Sequence, residues 1–210
     1  SRVLYPSGHS DHLDVATRRA IVTSVGQTAS QVSLKLMEEL DCDLVEVSAH
    51  GGSRPEHAKW QGKVFSRGGR NKKYKDFETE TGYGTGDGLC GWNCRHTFFP
   101  YFEGISTKAY TNKQLRAYEK DTLSVGGKEI TQYEARQVQR SIERDIRSAK
   151  RSQMAFVGAL EGADDPELLR ELRKGEDEAS QSVLDAERRM IDFIEETGLY
   201  RRKDRESAKG

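Results

Sequence analysis

Leu123-Ser124-Val125-Gly126-Gly127-Lys128-Glu129-Ile130-Thr131-Gln132-Tyr133-Glu134 carries two opposite instructions in one short stretch. Apolar and polar residues alternate around Gly126-Gly127, a pair that supplies the positive φ angles of a two-residue hairpin turn. At Thr131 the rule changes. Thr131-Gln132-Tyr133-Glu134 is a capping box, in which the threonine and the glutamate each satisfy the other's backbone amide, so a helix begins there.

Downstream, Val138, Ile142, Ile146 and Ala149 recur at helical spacing, and Ala179, Val183, Ala186, Met190 and Phe193 form a second stripe at heptad-like steps. Gly162 and Asp164-Asp165-Pro166 separate them, with the proline suited to a first helical turn, and Gly198 is a plausible stop. Two helices packed on each other are predicted. Residues 201–210, with Arg201, Arg202 and Lys203, are expected to be a disordered basic tail.

Upstream, residues 51–106 hold 11 of the 20 glycines and the one dense cluster of histidine, cysteine and tryptophan. Irregular backbone with special chemistry is expected there. Gly82, Gly84, Gly86 and Gly88 fall at every second position, which suits a loop lying against another backbone. Short strands are expected at 63–66 and 97–102, and residues 43–50, with Leu44, Val45 and Val47 among polar neighbours, read as a half-buried strand. Before them a helix should start at Ser10 or Asp11, whose side chains can cap free amides, and present Val22, Val25, Ala29, Val32, Leu36 and Leu40 as one apolar stripe. Trp60, Trp92 and the aromatic group Phe98, Phe99, Tyr101 and Phe102 read as core packing. The expected fold is α+β: an N-terminal helix and small antiparallel sheet with glycine-rich loops over residues 1–120, then a hairpin and long helical hairpin over 121–200, then the tail.

Composition sets the outer bounds. The chain of 210 residues is 34% hydrophobic and 32% charged, with 34 basic and 34 acidic side chains, so it is large enough for a real core and has no global field for nucleic acid or membrane. Three cysteines make no disulfide framework and point to a reducing compartment. The longest apolar stretch, residues 154–160, is too short to cross a bilayer, and the start lacks a signal-peptide pattern. A soluble protein made in the cytoplasm is expected. Ser1 in place of methionine suggests a processed product or a fragment of something longer.

The chemistry lies in two blocks, Ser48-Ala49-His50-Gly51-Gly52-Ser53-Arg54-Pro55-Glu56-His57-Ala58-Lys59-Trp60-Gln61-Gly62-Lys63-Val64-Phe65-Ser66 and Thr81-Gly82-Tyr83-Gly84-Thr85-Gly86-Asp87-Gly88-Leu89-Cys90-Gly91-Trp92-Asn93-Cys94-Arg95-His96. His57, Cys90, Cys94 and His96 are four candidate ligands of a mixed set that zinc takes tetrahedrally. The alternative is that the thiols are buried small hydrophobes and the histidines lock loops by hydrogen bonding. Arg54, His57 and His96, joined by His50, could instead form a nuclease-like site, a histidine moving a proton while the arginine holds phosphate. The glycine run matches neither the dinucleotide nor the phosphate-loop fingerprint. Arg67, Arg70, Lys72, Lys73 and Lys75 form a cationic loop, either a salt-sensitive DNA contact or a solvated surface.

The two blocks resemble the signature of the phage minor capsid protein 2 family and, more distantly, the head-morphogenesis proteins named after phage Mu's F protein, over residues 10–107. In the Mu-like relatives a paired-cysteine motif precedes a Leu-Asp-Gly turn, and a His-Pro-x-Cys-Arg-Cys motif follows. Here Arg54 and His57 stand near where the paired cysteines would be, Gln61-Gly62 matches the turn, and Asn93-Cys94-Arg95-His96 replaces the final run. The resemblance implies a structural minor capsid or head-morphogenesis protein of a tailed phage rather than an enzyme. It implies a place in the virion near the portal, with portal, scaffold or major capsid protein as partners. Trp60, Gln61, Gly62, Trp92, Asn93 and Arg95 would then rigidify the domain. Two other classes stay open: a phage-delivered nuclease or toxin-like domain using Arg54, His57 and His96, and a capsid-interior module that binds packaged DNA. The C-terminal helices could also join copies into an oligomer.

Overall fold

The computed structural model describes residues 2–208. The chain divides into two compact units, Ser1–Asp121 and Thr122–Gly210.

The first unit opens with an antiparallel ribbon of β1 (Arg2–Leu4) and β2 (Ser10–His12), with Val3 opposite Asp11. Helix α1 (Leu13–Glu39) follows at once. Ser10 and Asp11 therefore lie in a strand and not at the helix cap that their side chains suggest. The Asp11 carboxylate instead accepts from Arg19 at 2.5 Å and faces His9 at 3.1 Å.

The apolar stripe of α1 is also not its buried side. Val25 and Val32 are 64% and 66% exposed, and Val22, Leu36 and Leu40 are exposed as well, while Ser30 and Met37 are buried. Ser30, Leu34 and Met37 sit roughly a third of a turn from the stripe, by helical geometry. That narrower side meets the core, where Ser30 Oγ lies 3.1 Å from Tyr83 Oη. Amphipathicity reports which side is apolar, and the neighbours decide which side is covered.

A three-stranded antiparallel sheet forms the centre. It comprises β3 (Leu44–Val47), β4 (Val64–Ser66) and β5 (Phe98–Pro100) in the order β4-β3-β5, with Val45 opposite both Phe65 and Pro100. Pro100 is tolerated because β5 is an edge strand. As the middle strand, β3 is buried at all four residues, not at alternate ones as its pattern suggests. Even Glu46 is enclosed, its carboxylate accepting the Ala109 amide at 3.0 and 3.2 Å, which removes the penalty of an unpaired buried charge. Phe65, Phe77, Phe98, Met37 and Leu89 fill the core around the sheet.

Three short helices complete the unit: α2 (Pro55–Ala58), α3 (Phe77–Thr81) and α4 (Asn112–Lys120). Asp76 caps α3 by accepting the Thr79 amide at 2.8 Å. Thr111 and Gln114 form a full capping box on α4. Thr111-x-x-Gln114 is the same signature as Thr131-x-x-Glu134, so α4 was open to the same sequence reading.

The second unit begins with β6 (Thr122–Val125) and β7 (Lys128–Thr131), joined by Gly126 and Gly127 at φ 57° and 74°. Helix α5 (Gln132–Glu161) starts at the capping box, where the Thr131 amide donates to Glu134 Oε2 at 2.8 Å and the Glu134 amide to Thr131 Oγ1 at 3.2 Å. Asp165 caps α6 (Pro166–Thr197) with two bonds, at 3.0 and 2.8 Å, and Gly198 ends it in the left-handed conformation. Ile142, Ile146, Ala186, Met190 and Phe193 meet between the helices, and Leu123, Val125 and Ile130 of the hairpin pack on them. Val138, expected in that stripe, lies at its exposed margin, and Ala135 takes the buried place.

The segment after α6 corrects the expectation of a disordered tail. Arg201 grips Glu206 with two bonds, at 2.8 and 2.6 Å, and the Glu206 side chain is buried. Arg147 donates to the Arg205 carbonyl, and Arg205 stands 3.9 Å from Glu143 of α5. Counting only the cations of the tail overlooked Glu206 and the buried Glu143 that draw it in. Lys209 and Gly210 lie outside the described residues. Among the described residues, no helix is long and apolar enough to cross a membrane.

Candidate metal centre

Gln61 organises the site. Its Oε1 accepts the His50 backbone amide at 3.1 Å, so the atom there must be the amide oxygen. His96 Nε2 faces the same oxygen at 3.1 Å and must therefore carry a proton. His57, on α2, points Nε2 at the Asp87 carbonyl at 2.9 Å, which fixes a proton there too. The remaining Nδ1 atoms of both rings converge on Cys94 Sγ, His57 at 3.8 Å and His96 at 3.7 Å. The three ligand atoms lie within 4.8 Å of one another, and His57, Cys94 and His96 are 3%, 8% and 4% exposed.

Trp60 walls the cluster, its ring 4.5 Å from His57 and 4.8 Å from His96, and His50 stacks on His96 at 4.3 Å. Burial disfavours charge on these rings. It lowers the His57 pKa, and burial with His50 and His57 nearby brings His96 down to about 3. Burial raises the Cys94 thiol and pushes Cys90 up to about 12.

The glycine loop brings the second block to the first. An alanine Cβ at Gly88 would lie 1.9 Å from the Gly82 carbonyl oxygen, and one at Gly91 2.3 Å from that of Gly86. The loop thus closes backbone on backbone, as its alternating glycines predict. Cys90 and Asn93 both take positive φ, at 60° and 54°. The Cys90 thiol faces the His96 carbonyl, 3.6 Å away, and Cys90 stands outside the cluster of His57, Cys94 and His96.

The other candidate residues are distributed differently. Trp92 is 58% exposed rather than core, and its ring lies over Gly86, where a Cβ would come within 2.7 Å of it. Arg54 donates to the Trp92 carbonyl at 2.5 Å, tying the two blocks together. Arg54 thus serves a loop carbonyl, and both histidines are enclosed. Arg95 is exposed, and Gly62 lies in a left-handed turn against Leu115. In the cationic loop, Arg67, Arg70, Lys73 and Lys75 face Glu38, Asp43, Glu103 and Glu80. Those pairs add little stability, but their carboxylates offset much of the positive charge that DNA would meet.

The depressed histidines make the first unit acid-sensitive. A folded-state pKa of about 3 for His96, against 6.5 unfolded, contributes stability that is full above pH 6.5 and is lost as pH falls toward 3. The expected slope is about 1.4 kcal/mol per pH unit from this ring alone. Urea denaturation followed by tryptophan fluorescence at pH 7 and pH 5 should show the loss. An unchanged midpoint would mean that the rings are not held neutral.

The chain matches the model of the family described as phage minor capsid protein 2 over residues 1–195, and it belongs to that family. It is 30% identical over 148 residues to a structural protein of Lactococcus phage LL-H, covering 68% of this chain and 37% of that protein. It is 34% identical over 85 residues to a structural protein of Lactococcus phage mv4, covering 40% of this chain and 59% of that protein. The chain thus spans between about a third and three fifths of these relatives' lengths. No solved structure matches it.

Proposed function

We propose that this chain is a structural component of a tailed-phage head, made in the host cytoplasm and assembled into the virion near the portal. Its neighbours there are portal, scaffold or major capsid protein. Membership of the minor capsid family carries this reading, together with relatives that are themselves structural proteins of phages. The exposed apolar stripe of α1 supports it, since a contiguous row such as Val22, Val25, Val32 and Leu36 is costly to leave in water and suits a surface that an assembled neighbour covers.

Val25→Asp combined with Val32→Asp tests this reading. Both side chains are exposed, so the variant should keep its helical circular dichroism, while its incorporation into heads falls by about tenfold or more, as for loss of an interface anchor. Heads that contain the folded variant at the normal level would remove α1 as an assembly surface.

A further inference from the structure

We propose that His57 Nδ1, Cys94 Sγ and His96 Nδ1 hold a zinc ion. Protons and lone pairs do not match among these three atoms when no ion is present. Asp87 and Gln61 each fix the proton of a ring on Nε2, so both Nδ1 atoms present lone pairs. Both are aimed at one thiol, which has a single proton to donate. A second buried lone pair is then left facing sulfur, an arrangement that buried polar groups rarely keep. An ion in the middle satisfies all three atoms at once.

The nitrogen–sulfur distances agree. Tetrahedral zinc, about 2.0–2.1 Å from nitrogen and about 2.3 Å from sulfur, sets nitrogen and sulfur about 3.6 Å apart. Here the separations are 3.7 and 3.8 Å. The surroundings agree as well, because the outer nitrogens of metal-bound histidines usually donate to a carbonyl or carboxylate, as both do here. Imidazole with thiolate selects zinc over magnesium or calcium. On binding, Cys94 passes its thiol proton to solvent and becomes the thiolate ligand. Cys90, four residues earlier and equally buried, takes no part.

The test loads the purified chain with zinc chloride or cobalt chloride, removes the excess by gel filtration, and measures metal by elemental mass spectrometry and absorption. The expected result is one equivalent of zinc, and with cobalt the visible bands of a tetrahedral ion plus a thiolate-to-cobalt charge-transfer band. Cys94→Ala should weaken binding by about 100-fold or more, and Cys90→Ala should leave it unchanged. Substoichiometric metal in the folded wild-type chain, or a cobalt spectrum without the thiolate band, would overturn the proposal. So would a folded Cys94→Ala that keeps its full equivalent. If Cys94→Ala does not fold, the wild-type cobalt spectrum decides alone.

Discussion

Gly88→Ala is expected to abolish the native fold of the first unit. The added methyl carbon would lie 1.9 Å from the Gly82 oxygen and 2.3 Å from its carbonyl carbon, and both are backbone atoms that no rotamer change can move aside. Either the loop opens or the chain fails to close, at a cost in the exceptional range above about 4–5 kcal/mol. Gly84→Ala is the matching control. Gly84 has open space around it and a φ of 90°, so alanine there meets only backbone strain, about 1–2 kcal/mol. Urea denaturation of both variants separates the two costs. A Gly88→Ala chain that unfolds at the wild-type midpoint would show that the loop does not close against Gly82.

Phe98→Ala should cost about 3–5 kcal/mol, the range for removing a buried phenyl ring. Phe98 is 1% exposed, and its ring stands 5.0 Å from Phe77 and 5.4 Å from Tyr83. The near-ultraviolet dichroism of the aromatic cluster should collapse with the stability, whereas Phe98→Leu should lose less than about 1.5 kcal/mol, since it nearly conserves volume. A loss below 1 kcal/mol on Phe98→Ala would place the core elsewhere.

The features that were legible in the sequence are those set by local rules. Thr131 with Glu134, Asp165 before Pro166, and the paired glycines at 126 and 127 each specify their conformation within a few residues, and the α+β class followed from them with the short strands beside the glycine-rich blocks. The less local features were harder to read. The stripe of α1 is apolar, yet nothing in its spacing says that the sheet meets the Ser30 and Met37 side instead. The alternation of β3 suggested one wet face, because a single strand does not announce that the distant segment at Ala109 comes to lie on Glu46. In the candidate site, the histidines and cysteines of the two blocks offered four ligands. Three of them meet, and Cys90 stands apart with a left-handed backbone, a conformation that for a non-glycine residue is decided by the surrounding fold.

The central position of β3 also sets the order in which the molecule can assemble. The second unit is a hairpin and two consecutive helices, contacts close in sequence that form early on folding. The first unit must wait, because β3 pairs with β4 soon after it but with β5 only once the long stretch between Val47 and Phe98 has been gathered in, and that loop closure costs entropy before the pairing returns any. Cys94 and His96 lie a few residues before that last strand and come in with it. The cluster with His57 is therefore completed late in folding, and it is among the first features lost when the edge strand lets go.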